Sequence, residues 1–407
     1  MTTNNNQATM AIQKPSLSKR IVFSLLNKLN DGYILLRDNG SEATFGDADA
    51  QLKMTITIND PKAYGRILWG GSIGAGEAYV EGLWSTDNLV AVIQLFSRNL
   101  ATLEKYEQRF GFLLNIANIF KHRANANSKK GSRTNIAAHY DLSNDMYKVF
   151  LDKAMQYSSA IYPHNEATLE EAQQNKLKVI CEALNLTQDD QLLEIGTGWG
   201  GLACYAAKHY GCHVTTTTIS DAQFDIAKQR VEDENLIDKV TLLKKDYRDL
   251  TGQYTKIVSI EMIEAVGHKF MPTYFSMIDK LLKPGGKTLI QAITMNDQRY
   301  DSYVKNVDFI QRHIFPGGHL PSISVICDLL KNNTNMYLKQ LSDYRIDYAK
   351  TLSDWRDTFL ENRDSIHNLG FNDDFIRLWE FYFCYCEGGF RESAIGLAHL
   401  ELVKNKY

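Results

Sequence analysis

The chain has 407 residues, with 45 Lys+Arg against 48 Asp+Glu, a formal net charge of −3, and 44% hydrophobic and 23% charged residues. That composition is globular; with only 7 Pro and 26 Gly it excludes collagen-like repeats and general disorder, and its near-neutral charge argues against a dedicated nucleic-acid binder. No apolar run approaches the ~18 residues that span a bilayer, and six cysteines without paired zinc-finger spacing give no disulfide scaffold; Cys384-x-Cys386 alone is a weak metal signal and reads rather as two buried helix cysteines.

At ~150 residues per domain the length predicts two to three domains. Residues 1–14 are polar, carry no secretory pattern and read as a disordered tail, so the default compartment is the cytoplasm. From residue 15 to 120 the pattern is that of a small α+β domain. In residues 16–30 Ile21, Leu25 and Leu29 recur at helical spacing beside Val22 and Leu26, an amphipathic helix expected to pack on its own domain. Residues 47–58 alternate, with Ala48, Ala50, Leu52, Met54, Ile56 and Ile58 on one face, predicting a half-buried strand of an antiparallel sheet. Gly70, Gly71, Gly74 and Gly76 mark a turn-rich stretch, and the apolar run AVIQLF follows at 91–96.

Residues 121–134 form a basic linker: 121–133 hold five Lys/Arg and no acid. The strip is either a solvated loop or a contact for anionic phospholipid headgroups, where each basic residue contributes ~1 kcal/mol.

The remainder, 135–407, is the expected catalytic domain. Strands at 192–195, 213–219, 240–244, 257–261 and 287–293 are separated by helices, predicting a parallel, doubly wound α/β sheet, and KPGG at 283–286 turns the chain into the last strand. Residues 360–395 return to helix, with Phe375, Trp379, Phe383, Cys386 and Phe390 at helical spacing. This aromatic stripe reads as core, with one face able to line a channel.

The sharpest local signal is LLEIGTGWGG, 192–201. A strand runs into glycines that let the backbone turn and approach a ligand, and a helix follows; in doubly wound sheets ligands sit beyond such strand ends. Glu194 before the loop suits S-adenosylmethionine better than a dinucleotide, because a pyrophosphate wants bare amides whereas a sulfonium with an amino-acid tail can use an acid. Opposite unit charges ~4 Å apart attract by ~4 kcal/mol at an effective dielectric of ~20 before desolvation. No acid ends the strand HVTTTTI, where a nicotinamide dinucleotide's ribose expects one.

The chain resembles the cyclopropane-fatty-acyl-phospholipid synthases, S-adenosylmethionine-dependent C-methyltransferases. The resemblance spans about residues 70–395, carried by GEAYVEGLW (76–84), HYDLSNDMY (139–147), FLDKAMQYSSAIY (150–162), LLEIGTGWGG, TISDAQ (218–223), KKDYRDL (244–250), EMIEAVG (261–267), FIQRHIFPGGHLPS (309–322), YRIDYAKTLSDW (344–355) and GGFR (388–391). It implies a class I methyltransferase, Rossmann-like, with helical insertions covering the active site. It implies that Tyr157, Ser158, Glu194, Gly196, Gly198, Gly200, Thr218, Gln223, Tyr247 and Arg248 contact S-adenosylmethionine. It also implies a catalytic centre of Glu264, Tyr348, Ser159, Gln291 and Ile293 around a bound bicarbonate ion.

In the implied reaction an alkene of an unsaturated phospholipid takes the methyl group, a carbocation forms, and bicarbonate removes a proton as the cyclopropane ring closes. Such chemistry needs an apolar channel, a nearby negative or polarisable group and a base within reach. The resemblance further implies a homodimer and a peripheral association with the inner face of the membrane. Two positions depart from the family pattern: Ser159 stands where many members have Cys, and Gln291 where many have His, a side chain that cannot titrate. The other readings are a methyl-branching lipid C-methyltransferase, a small-molecule N-methyltransferase and a non-catalytic binder. His139 and His268 carry no assigned role.

Overall fold

The structure, a computed structural model, describes residues 16–100, 102, 103 and 143–407. The tail 1–14, the linker 121–134 and His139 lie outside the described residues.

The first helix, α1 (Leu17–Leu26), starts where the Ser16 hydroxyl accepts from the Lys19 amide, and buries Val22 and Leu26. Strands β1 (Tyr33–Asp38), β2 (Ser41–Gly46), β3 (Lys53–Ile58) and β4 (Trp84–Thr86) form a sheet in the order β2-β1-β3-β4. The sheet is mixed rather than antiparallel, because β3 runs parallel to β1 and antiparallel to β4.

The alternation over 47–58 becomes strand only from Lys53. Before it, Asp47 captures the chain: its carboxylate accepts from the Asp49 amide and its carbonyl from that of Ala50. A local Asx turn thus outcompetes the sheet ladder. Met54, Ile56 and Ile58 are buried as expected, whereas Ala48 is exposed.

The glycine-rich stretch expected as turns is the middle of helix α2 (Lys62–Val80), kinked at Gly71 (φ 57°, ψ −141°). Small residues here serve contact: a Cβ at Gly76 would lie 2.6 Å from the Phe309 ring. Helix α3 (Leu89–Arg98) carries the AVIQLF run inward.

The larger sheet holds β5 (Gln191–Ile195), β6 (His213–Thr217), β7 (Val240–Leu243), β8 (Tyr254–Ile260), β9 (Leu282–Met295), β10 (Met336–Asp343) and β11 (Ile395–Lys404), in the order β10-β11-β9-β8-β5-β6-β7. β7, β6, β5, β8 and β9 are parallel, as expected; β10 and β11 add an antiparallel edge absent from the sequence reading. Helices α4 (Leu169–Leu184), α5 (Gly201–Tyr210) and α6 (Asp221–Asp233) serve one side and edge, while α7 (Met271–Leu281) and α8 (Ile323–Asn333) cover the other. Central strands covered on both faces read as near-continuous apolar runs.

Two further helices, α9 (Arg345–Glu361) and α10 (Asp373–Arg391), close over the carboxyl ends of the strands. The stretch 360–395 is therefore not one helix: the chain breaks at Gly370 (φ 94°) before α10 begins. α10 joins the two sheets. One side packs Phe381 and Cys384 into the core of the small sheet, and the other packs Trp379 and Phe383 into an aromatic cluster. Arg377 on α10 donates to the carbonyls of Tyr79 and Trp84, and Arg98 on α3 forks onto Glu392.

Candidate active site

A cavity of about 1050 Å³ opens at the carboxyl ends of β5, β6, β8 and β9. Among the described residues it runs from the glycine loop, past Glu261, Glu264 and Tyr348, to Leu25, Ile67, Trp69, Val92 and Phe96 of the small sheet's helices.

At the first end, β5 stops at Ile195 and α5 begins at Gly201. Between them the amides of Gly196 and Thr197 both donate to the Thr217 carbonyl, tying the loop to β6. Gly198 has φ 52° and a Cβ there would meet nothing within 4 Å, so its bare backbone faces the open cavity. Gly200 has φ 85° and a Cβ there would press on Ala227 at 3.1 Å, so here glycine serves packing as well.

Glu194 is buried and accepts from the Thr216 hydroxyl at 2.6 Å. Burial pushes its carboxyl up to about 8, and a cationic ligand group would draw it back down. Thr218 donates to Gln223 at 2.9 Å, and both line the cavity. Tyr247 lines it too, its buried hydroxyl without a hydrogen-bond partner among the described residues. The Ser158 hydroxyl accepts from the buried ammonium of Lys176 at 2.7 Å. The Tyr157 hydroxyl meets that of Tyr382 at 3.2 Å.

These features fit S-adenosylmethionine: a bare loop, a desolvated acid and an unsatisfied hydroxyl around one end of the cavity. Arg248 departs from the expected contact. Its guanidinium forks onto Asp246 at 2.6 and 2.7 Å, stacks near Phe270, and is not part of the cavity lining.

Of the five residues expected around bicarbonate, Ser159, Gln291 and Tyr348 converge on a different group, the Glu261 carboxylate, while Ile293 pairs with Glu264. Glu261 Oε1 accepts from the Ser159 amide at 2.8 Å and from Gln291 Nε2 at 2.7 Å; Glu261 Oε2 accepts from the Tyr348 hydroxyl at 2.7 Å. Gln291 Oε1 meets His399 Nε2 at 2.7 Å. Burial, with Lys176 nearby, pushes His399 down to about 3, so the neutral ring donates to Gln291, whose amide is thereby oriented to donate to Glu261. The Ile293 amide donates to Glu264 Oε1 at 2.6 Å, and the Ser159 hydroxyl donates to the Ala160 carbonyl. Every donor expected to hold bicarbonate is therefore bonded within the chain. The site as folded does not fit that ion.

Sequence reasoning missed Glu261, although it stands in EMIEAVG. The signal was its place at the carboxyl end of β8, where doubly wound sheets bind ligands. Its φ of 46° is left-handed, an arrangement that costs a non-glycine residue about 1 kcal/mol or more. Burial raises its carboxyl, opposed by the three hydrogen bonds and by Lys176. Glu264 is pushed up to about 8 by burial and then by the charge of Glu261; its Oε2 is buried without a partner among the described residues. The pair thus favours one ionised carboxylate, Glu261, beside one neutral carboxylic acid, Glu264.

Aromatic rings surround this pair. Tyr348 stacks on Phe390 with centroids 4.6 Å apart, and Phe315 meets Tyr382 edge-on at 5.9 Å. The aromatic stripe of α10 divides accordingly: Tyr382, Cys386 and Phe390 line the cavity, while Trp379 and Phe383 are core.

A doubly wound sheet with a glycine loop beyond β5 and helices over its strand ends defines a class I S-adenosylmethionine-dependent methyltransferase. The model of the family described as mycolic acid cyclopropane synthetase matches residues 127–400, and the chain belongs to this family, with the cyclopropane-fatty-acyl-phospholipid synthases among its relatives. It is 38% identical over 345 residues to the cyclopropane-fatty-acyl-phospholipid synthase of Escherichia coli, covering 84% of this chain and 86% of that one. It is 37% identical over 358 residues to the tuberculostearic acid methyltransferase UfaA1 of Mycobacterium tuberculosis, covering 86% and 83%. The solved mycolic acid cyclopropane synthase CmaA1, complexed with SAH and CTAB, superposes with a TM-score of 0.63 at 28% identity, over 67% of this chain and 98% of that one.

Proposed function

We propose that this enzyme adds the one-carbon unit of S-adenosylmethionine across the double bond of an unsaturated acyl chain in a membrane phospholipid, closing a cyclopropane ring. The observation that carries this reading is the continuous cavity joining the glycine loop to an apolar chamber under the small sheet. Its lining by Leu25, Ile67, Val92 and Phe96 suits a hydrocarbon and offers little to a small polar amine.

When bound, S-adenosylmethionine supplies an electrophilic methyl group. The chain holds it through the Gly196–Gly200 loop, Glu194, Thr218, Gln223 and Tyr247, with Tyr157 and Ser158 on the covering segment. The faces of Tyr348, Phe390 and Tyr382 stabilise positive charge developing on the acyl chain, and the carboxylate nearest them supports it electrostatically. The covering helices exclude water that would trap the cation.

A second reading, methyl branching, is favoured by a likeness to UfaA1 of nearly the same degree, 37% against 38% identity. It differs only in which proton leaves: loss from the chain, not from the new methyl group, gives a branched alkene.

No described helix is long and apolar enough to cross a membrane. Contact with the inner membrane face is part of the proposal, supported by Trp69, which lines the cavity yet is 55% exposed. The homodimer rests on the family resemblance, and sedimentation equilibrium tests it.

The deciding experiment incubates the protein with S-adenosylmethionine and vesicles of unsaturated phospholipid, followed by gas chromatography–mass spectrometry of the fatty acids. A product heavier by one CH₂ and resistant to hydrogenation is expected. A methyl-branched product moves the assignment to the second reading, and methylation of amines alone overturns both.

A further inference from the structure

We infer that Glu261 is the enzyme's own built-in anion, taking the place of a bound bicarbonate and accepting the proton released at ring closure. Three donors converge on its carboxylate from three separate parts of the fold: the Ser159 amide from the covering segment, the Gln291 amide from β9 and the Tyr348 hydroxyl from α9. A planar carboxylate and a planar bicarbonate offer such donors the same two oxygens. A free anion and the side chain cannot both satisfy them, because each donor has one proton to give in that direction.

The backbone supports a functional origin. Glu261, held left-handed, donates its amide N–H to the Gln291 carbonyl, in a conformation glycine adopts without strain. A carboxylate kept at such a position points to what its side chain does. Glu261 also faces the cavity, so its carboxylate adjoins the space where the acyl chain would lie. The charged and titratable groups around it include Lys176 from α4, Glu264 from the same turn, Tyr348 from α9 and Tyr382 from α10, with His399 from β11 behind Gln291.

The proton-transfer half of this inference rests on the lipid reading above. Once the methyl group is attached, a carbocation remains on the adjacent acyl carbon. One C–H bond of the new methyl breaks, its proton bonds to a Glu261 oxygen, and the released electron pair forms the third C–C bond of the ring. The resulting carboxylic acid returns its proton to solvent water after the product leaves.

The test compares wild type, Glu261→Gly and Glu261→Gln, with folding of each checked by circular dichroism. Binding of ¹³C-labelled bicarbonate is read by NMR, and lipid turnover is measured in carbonate-free buffer with and without added bicarbonate. Wild type is expected to bind no bicarbonate and to turn over equally in both buffers. The glycine variant, suited to the left-handed backbone, is expected to take up bicarbonate and to recover lost turnover when the ion is added. The glutamine variant should lose at least ~100-fold in kcat, the low end for removal of a general base, with no rescue.

Saturable bicarbonate binding by wild type, or a glycine variant that folds but binds none, overturns the built-in anion. A glutamine variant with wild-type turnover overturns Glu261 as proton acceptor. Absence of any lipid product from wild type sinks the lipid reading instead, while the binding measurement still decides the anion.

Discussion

Tyr348 donates its hydroxyl to Glu261 across 2.7 Å, although 87 residues separate the two in the chain. The bond couples helix α9 to the end of β8 and lowers the carboxylate's affinity for a proton. Replacing Tyr348 by Phe removes one of three donors and leaves ring stacking on Phe390 intact. Glu261 then ionises at higher pH, so the acid limb of the kcat/KM profile moves upward. A loss of one charge-assisted hydrogen bond, ~1.5–3 kcal/mol, corresponds to roughly 10–100-fold near neutral pH. A pH–rate profile unchanged in shape and position would detach Tyr348 from Glu261.

Glu264 makes stability depend on pH. Its carboxyl is raised from 4.5 to about 8, chiefly by burial. A group raised in the folded state contributes fully below its unfolded value and loses that contribution as pH rises through the folded one. Between about pH 4.5 and 8 the loss is at most ~1.4 kcal/mol per unit. Glu194, also pushed up to about 8, adds a slope of the same sign. Glu264→Gln keeps an acceptor for the Ile293 amide but cannot ionise. Urea unfolding at pH 5, 6.5 and 8 should therefore show a shallower decline for the variant; parallel declines would remove Glu264 as a source.

Two loop glycines separate cofactor affinity from stability. Alanine at Gly200 must adopt φ 85° and press on Ala227, so the fold loses ~1 kcal/mol or more. Alanine at Gly198 meets no protein atom, and its methyl group projects into the cavity. Calorimetric titration with S-adenosylmethionine should show the larger affinity loss for Gly198→Ala, and denaturant midpoints the larger stability loss for Gly200→Ala. The reverse ranking would mean that the loop faces its ligand differently.

How much of this was legible in the sequence follows from the range of the interactions. β5, β6, β7 and β8 announced themselves because apolar runs flanked by helices have local signatures. β10 and β11 did not: each pairs with a partner far away in the chain, and the exposed, polar face of β10 lacks clean alternation. The glycines of α2 read as turns although they lie within a helix; for Gly76 the reason, the approach of Phe309 from over 200 residues away, is tertiary. Ser159, Gln291, Ile293, Glu264 and Tyr348 were brought together by motif resemblance. What three of them surround was not legible, since only three-dimensional convergence shows that one more acid of the same motif, Glu261, fills the space between the donors of Ser159, Gln291 and Tyr348.

Trp69 tests how the substrate arrives. It lies on α2 just before the kink at Gly71, is 55% exposed and lines the cavity. An exposed indole at the open end of an apolar channel is suited to the headgroup boundary, with its ring against acyl chains and its N–H in the wet layer. Burying a large apolar side chain is worth about 2 kcal/mol, roughly 30-fold in affinity. Trp69→Ala should therefore bind unsaturated phospholipid vesicles more weakly in co-sedimentation and show a higher KM for vesicle substrate at unchanged kcat. Trp84, buried and donating its indole N–H to the Ala75 carbonyl, supplies the contrast: its replacement lowers stability without a selective effect on vesicle binding. If Trp69→Ala sediments with vesicles as wild type does, the lipid reaches the cavity by another face, and the exposed indole has no part in membrane contact.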